Sequence, residues 1–327
     1  MTGVSMNRVL RVALIAGVVV VSVAGICLWL IESRARRTFS APYPAIEATS
    51  DAASVELGRY LVYGPAACAY CHVPRERWKE LASGSQLPLS GNHVFRLSFG
   101  ELYSSNLTSD ADTGVGRRTD GELARILRYG VRADGRAAIP LMEYQNLSDQ
   151  DLTAIISFLR TQTSVRSAVP AHELTMLGKV IMGFAYTPEG PGETPMQASP
   201  VGVSIERGAY LANKVCLCVT CHTDRGGDGQ LVGPRFAGGQ RMDVAADPSK
   251  VYVSPNLTPD PKTSVIGVWT EDAFLARFRL GELVEGSPMP WGAFGRMTGA
   301  DLRSVFQYLR SLPAVEHSTG STIQNKG

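Results

Sequence analysis

Cysteine pairs at C-x-x-C spacing, each followed at once by histidine, occur twice in this 327-residue chain: Cys68-Ala69-Tyr70-Cys71-His72 and Cys218-Val219-Thr220-Cys221-His222. On one helical turn the two thiols point the same way, and each can form a thioether to a porphyrin vinyl group while the adjacent imidazole becomes an axial iron ligand. Two covalently bound c-type haems are what this spacing predicts. A zinc site wants its two Cys pairs about 15 to 20 residues apart and needs no histidine after each pair, and a thioredoxin-like redox motif would occur once, near a strand-helix-strand pattern. Four of the six cysteines and two of the five histidines fall in the duplicated motif, which chance placement does not explain.

The second axial ligand decides what such an iron does. A methionine thioether opposite histidine raises the reduction potential and fills the coordination sphere, giving an electron carrier; an open position invites oxygen or peroxide chemistry. In the second copy, SPMPWGAFGRMTGADL sets Met289 between two prolines, which stiffen a loop that must hold a sulfur at iron distance. Met297 abuts the start of the last helix and reads as core. In the first copy, AAIPLMEYQNLSDQDL offers Met142, but the interval from Met142 to Asp151 is three residues shorter than from Met289 to Asp301, and Glu143 replaces the proline. A strict alignment would put Ile139 opposite Met289 and leave that iron five-coordinate. Pro140 and the place just before the last helix favour Met142, with His93 the alternative. A ligating imidazole usually donates its other N–H to a carbonyl; Pro88 after His72 and Gly233-Pro234 after His222 are candidates to supply it. Cys216 makes the second motif C-x-C-x-x-C-H and reads as a bystander, because Cys218 has the attachment spacing.

The elements that must position these residues are one domain written twice. ELGRYLVYGPAACAYCH (56–72) aligns without gaps on ERGAYLANKVCLCVTCH (206–222), SNLTSD (105–110) on PNLTPD (255–260), and SDQDLTAIISFLR (148–160) on TGADLRSVFQYLR (298–310). The pattern within each copy is helical. Leu152, Ile155, Ile156 and Leu159 recur at helix-face spacing, as do Leu302, Val305, Phe306 and Leu309. Ser148 and Thr298 predict N-caps, and Thr119 with Glu122 predicts a capping box before LARILRYG, with Gly130 to end that helix. Gly58 and Gly208 sit at the same place in the opening helix of each copy, where a missing side chain lets another helix approach. The natural partner is the last helix of the same copy, carrying Phe158 or Tyr308.

A length of 327 residues agrees with two domains. Of the formal charge of +2, the first forty residues carry +4 (five arginines against Glu32), leaving the remainder at −2; nothing suggests a nucleic-acid partner. From Val12 to Ile31 the chain is apolar but for Ser22, long enough to cross a bilayer as a helix. A cleaved signal peptide would have a shorter apolar core and a small-residue cleavage site after it, whereas Glu32 and a basic cluster follow, so an uncleaved anchor is expected. Cys27 lacks a lipoprotein cleavage context and reads as a small membrane-buried hydrophobe. Three arginines follow the span and two precede it, so the positive-inside count does not orient it. Covalent haem attachment in bacteria takes place outside the cytoplasmic membrane, which puts the body of the protein in the periplasm.

The stretches SNLTSDADTGVGRRTDGELARILRYGVRADGR and PMPWGAFGRMTGADLRSVFQYLR resemble the class I cytochrome c family, and more closely the haem c subunits of bacterial membrane-bound alcohol, aldehyde and gluconate dehydrogenases. The likeness covers most of residues 52–313. Those subunits typically carry three haems, against two motifs here. The expectation is a mostly α chain: a transmembrane anchor with basic flank (1–40), a first class I cytochrome c domain (50–165), a connecting segment (166–200) and a second such domain (201–315). It would bind two haem c groups through Cys68, Cys71, Cys218 and Cys221, with His72, Met142, His222 and Met289 on the irons. It would pass single electrons between redox partners such as a dehydrogenase subunit, an oxidase or another cytochrome. The alternative is a di-haem peroxidase with one open haem.

Overall fold

The computed structural model describes residues 3–227, 229–244, 247 and 249–326. It starts with a 33-residue helix, α1 (Gly3–Ala35), whose side chains from Val9 to Leu30 are exposed on every side. A helix apolar all round needs every face covered, by a large core or by a bilayer; the rest of the described chain covers none of this one's apolar part, which at 1.5 Å rise per residue matches a bilayer's hydrocarbon thickness of about 30 Å. The strand-like segment after it is pinned to the first copy. The Phe39 amide donates to the Gly135 carbonyl (2.8 Å), Ala48 N–H to an Asp120 carboxylate oxygen (2.7 Å) and Thr49 N–H to Ser157 Oγ (2.9 Å).

In the first copy α2 (Ala52–Tyr63), α3 (Cys68–His72), α4 (Asp120–Tyr129) and α5 (Asp149–Thr161) are the main helices. Both halves of the Thr119–Glu122 capping box form, and Gly130 ends α4 in the left-handed region at φ 61°. α2 and α5 cross at Gly58, where an added Cβ would lie 1.9 Å from the Ala154 carbonyl oxygen and 2.7 Å from Phe158 Cβ. A crossing this close admits only glycine.

Connecting the copies, α6 (Met176–Val180) continues as a wider turn to Ala185 and packs on the end of α1. The second copy repeats the first with α7 (Ile205–Tyr210), α8 (Cys218–Cys221), α9 (Glu271–Arg279) and α10 (Gly299–Ser311). α7 and α10 cross at Gly208 in the same manner, with the virtual Cβ 1.9 Å from Ser304 O and 2.8 Å from Tyr308 Cβ. Ser148 and Thr298 cap α5 and α10, accepting from the amides of Asp151 and Asp301.

Each copy also carries a small antiparallel sheet that the helical periodicity did not predict. β1 (Val94–Leu97), β2 (Gly100–Tyr103) and β3 (Glu173–Leu174) form one; β4 (Arg241–Asp243), β5 (Lys250–Val253) and β6 (Ile323–Asn325) form the other. β3 lies in the segment expected to connect the domains, and it pairs with the first copy as β6 pairs with the second.

One apolar cluster holds residues of both copies, among them Leu61, Leu152, Ile156, Leu211, Leu302 and Leu309. Across it runs a reciprocal polar contact. Tyr60 donates its hydroxyl to Asp301 (2.6 Å) and Tyr210 donates to Asp151 (2.6 Å). The two tyrosines occupy equivalent positions in the repeat, as do the two aspartates, so the copies face each other about an approximate two-fold axis. Arg207 adds two bonds to Asp301 (2.8 and 3.1 Å), where the first copy has Leu57.

Candidate haem sites

Each Cys-His motif is one turn of helix entered through a residue in the left-handed region, Ala67 (φ 49°) before Cys68 and Leu217 (φ 53°) before Cys218. For a residue with a Cβ that conformation costs about 1–2 kcal/mol, so the surrounding structure must hold it. The preceding helix does so by ending in a wide turn: Ala66 N–H donates to Leu61 O (2.9 Å) and Cys216 N–H to Leu211 O (2.8 Å). The bend turns the motif back so that Cys68 and Cys218 both pack against the core.

None of the six cysteines is joined to another in a disulfide. Burial pushes the Cys68 thiol up to about 12 and Cys71 up to about 11, and raises Cys221 as well. His72 and His222 are buried, which lowers the pKa of both and keeps the imidazoles neutral.

Each imidazole is oriented by a carbonyl. His72 Nδ1 lies 2.8 Å from Ser105 O, and His222 Nδ1 lies 3.0 Å from Pro255 O. A carbonyl can only accept, so Nδ1 carries the proton and Nε2 keeps its lone pair free for a metal. The expected sources, Pro88 and Gly233-Pro234, are not the ones used. Ser105 and Pro255 open the repeated SNLTSD and PNLTPD segments, and both lie 33 residues beyond their histidines.

Those segments are held rigidly. Asn106, buried, accepts from Thr108 N–H (2.9 Å) and donates to Val165 O (2.8 Å); Asn256 does the same with Thr258 and Val315 at the same distances. From the other side, Gly91 N–H donates to His72 O and Gly238 N–H to His222 O, each at 2.8 Å.

Of the proposed axial methionines, Met289 is half-buried against the core, and its carbonyl accepts from Trp291 N–H (2.8 Å), which opens a one-turn helix. Met142 is also half-buried, on an irregular loop tied at both sides. The next residue, Glu143, pairs with Arg225 of the second copy (3.6 Å), and Tyr144 donates its hydroxyl to Ala66 O beside Cys68. Burial raises the pKa of the Tyr144 hydroxyl well above its ordinary value. The loop that carries Met142 thus touches the motif regions of both copies.

Met297 is buried with its sulfur 3.9 Å from Cys216 Sγ, and the pair occupies the places that Leu147 and Ala66 fill in the first copy. Both read as packing. His93 stacks on Trp78 (4.9 Å) and meets Phe95 edge to face (4.5 Å) with Nδ1 buried and unpaired, and burial, aided by Arg75, pushes its pKa down to about 4. Its backbone carbonyl accepts from Ser104 N–H (3.0 Å), next to the Ser105 carbonyl that orients His72.

Paired thiols on one turn, a neutral imidazole with Nε2 free, and an apolar lining together fit a covalently attached haem in each copy. No family model matches the chain. It is 28% identical over 246 residues to the cytochrome c subunit of the quinone alcohol dehydrogenase of Gluconobacter oxydans, covering 70% of this chain and 50% of that subunit. With the gluconate 2-dehydrogenase cytochrome c subunit of Pantoea cypripedii it shares 26% identity over 288 residues, 81% of this chain and 61% of the relative. The alignment with a di-haem c-type cytochrome of Cereibacter sphaeroides, at 26% identity, covers 94% of this chain and 100% of the relative. The chain spans about half to three-fifths of the two dehydrogenase subunits. It is therefore similar in sequence to the cytochrome c subunits of bacterial dehydrogenases and, from end to end, to a di-haem c-type cytochrome.

Proposed function

We propose that this chain is a membrane-anchored di-haem c-type cytochrome, built of one transmembrane helix and two tandem class I cytochrome c domains at residues 50–165 and 201–315, joined by 166–200. The observation that carries the reading is the duplicated Cys-His turn, with the Nδ1-to-carbonyl bond and the asparagine behind it repeated in both copies. When bound, a c-type haem supplies one-electron redox chemistry. Cys68 and Cys71, and Cys218 and Cys221, hold the two groups. His72 and His222 would each hold one iron through Nε2, and Met142 and Met289 would supply the thioether sulfurs.

The protein's part is burial, ligation and orientation. Neutral imidazoles and thioethers favour an electron carrier, and the interface loop at Met142 to Tyr144 brings the two motifs to one boundary, suited to passing an electron between them. The haem domains lie in the periplasm, against the bacterial cytoplasmic membrane. There the chain relays electrons from a dehydrogenase or quinol-oxidising complex to a terminal acceptor of the respiratory chain.

The test is direct. A pyridine haemochrome assay, with haem staining after denaturing electrophoresis, should give two non-dissociable haems per chain; one haem, or haem that extracts into acidified organic solvent, refutes the reading. The shorter Met142 loop is the one feature that favours a peroxidase. A high-spin haem unaffected by Met142→Ala, with peroxide turnover, would put that reading first.

A further inference from the structure

The short helix α6 and its wide last turn have two unlike sides. On the inner side Gly178 lies against the β1–β2 turn, where a Cβ would stand 2.1 Å from Phe99 O, and Gly183 lies against α1, 3.1 Å from Arg34 Cβ and Ala35 N. Met182 between them is buried. The outer side presents Met176, Leu177, Val180 and Phe184, 50, 54, 37 and 55% exposed. Four large apolar side chains at that spacing share one helix face, and one left in water would be a liability.

Its place in the fold says what covers it. α6 is fastened to the last turn of α1 by Lys179–Glu32 (2.7 Å) and by Arg34 over the Phe184 ring (5.9 Å), and just past both elements the Arg37 guanidinium donates to Tyr186 O. Just upstream on α1, Trp29 and Leu30 are exposed, and Leu97 on the neighbouring β1–β2 turn is exposed too. The apolar surface of α1 therefore continues onto the first copy, with the exposed Arg34 and Arg36 at the junction. An apolar face flanked by arginines at the end of a span has the chemistry of a segment lying in the headgroup–acyl boundary.

We propose that Met176, Leu177, Val180 and Phe184 insert into the bilayer interface beside α1, so that the first copy is seated on the membrane and does not swing from a tether. This rests on α1 being the membrane span. The pinned segment after α1 points the same way, since it leaves no slack chain.

The full-length, haem-loaded protein is reconstituted into phosphatidylethanolamine–phosphatidylglycerol vesicles that contain a lipid with a diazirine on its acyl chain, irradiated, and mapped by peptide mass spectrometry. Label is expected on α1 and on the peptide spanning 173–186. In Leu177→Glu/Phe184→Glu, label on 173–186 should fall to that of the second-copy peptide bearing the exposed Val201 and Val203, with α1 labelling and both haems unchanged. If α1 is labelled in the wild type and 173–186 is no better labelled than that control, the proposal is wrong. Absence of label from α1 would sink the anchor and this inference together. Crosslinking of 173–186 to another protein but not to lipid in native membranes would assign the face to a protein partner and overturn it.

Discussion

A histidine whose Nδ1 proton is held by a backbone carbonyl can present Nε2 to iron in one orientation only, so the residues that fix that carbonyl matter as much as the ligand. Asn256 is the clearest case, because its buried amide ties Pro255's segment to Thr258 and Val315. Asn256→Ala strips the Thr258 N–H of its acceptor and leaves Val315 O with the Thr258 hydroxyl at 3.3 Å, and should cost about 1–3 kcal/mol of stability. It should also alter the second haem's spectrum without releasing the haem, a pairing that chemical denaturation and absorption spectroscopy can read together. Met289→Ala should open the second iron alone, turning it high-spin and lowering its potential on the order of 0.2 V, a fraction of the roughly 0.8 V range that axial ligands command. Redox titration checks this; a second haem unchanged in both respects removes Met289 from the ligand set. The cysteines and histidines were legible because attachment chemistry demands side chains at fixed spacing. The orienting carbonyls were not, since every residue has one. The only trace was SNLTSD and PNLTPD recurring at equal distance from their histidines.

Among the elements, the helix crossings at Gly58 and Gly208 were visible in sequence, because a close approach leaves a glycine in both copies. Gly58→Ala and Gly208→Ala each drive a methyl into a backbone carbonyl, so α5 or α10 must shift. Each should cost about 3 kcal/mol, the upper part of the usual range for overpacking. Thermal unfolding of the two variants should show similar losses; a neutral result at either position would mean that its crossing is looser than the 1.9 Å contact implies. The two small sheets were not legible. Strands such as VFRL and GELY are four residues long, too short for a period-two pattern to stand out. They gain their third strand from residues far along the chain, Glu173–Leu174 and Ile323–Asn325.

For the molecule as a whole, the apolar boundary between copies includes two tyrosine–aspartate bonds that no local pattern could reveal, the partners being 241 and 59 residues apart. They differ in backup. Without Tyr60, Asp301 keeps Arg207; without Tyr210, the Asp151 carboxylate keeps the Ser199 hydroxyl at 3.3 Å, and the Ser148 amide loses its acceptor. Tyr210→Phe should therefore destabilise more than Tyr60→Phe, by about 1–3 kcal/mol at neutral pH. The pH dependence has a definite sign. Burial raises the Asp151 pKa above its unfolded value while the Tyr210 hydroxyl lowers it, so the folded state holds this proton more tightly than the unfolded one. Stability from this group is lost as pH rises through the folded value and recovered on acidification toward the ordinary carboxylate range. Removing the hydroxyl raises the folded value further. The deficit of Tyr210→Phe should shrink as pH falls, and urea titrations at two pH values test it; a constant deficit would mean that Asp151 does not titrate in that window.

The same reciprocal bonds carry a consequence for the halves taken separately. A surface that offers a tyrosine and an aspartate at matched positions about a two-fold axis is complementary to itself. The second copy is the better equipped half, since Arg207 already holds Asp301 in place within its own fold. Residues 201–326 expressed alone and loaded with haem should therefore pair as a homodimer, Tyr210 of each subunit reaching Asp301 of the other, and Tyr210→Phe should shift that dimer toward monomer in sedimentation equilibrium. The covalent link between the copies then acts as an effective concentration, turning an association that depends on dilution into one that does not.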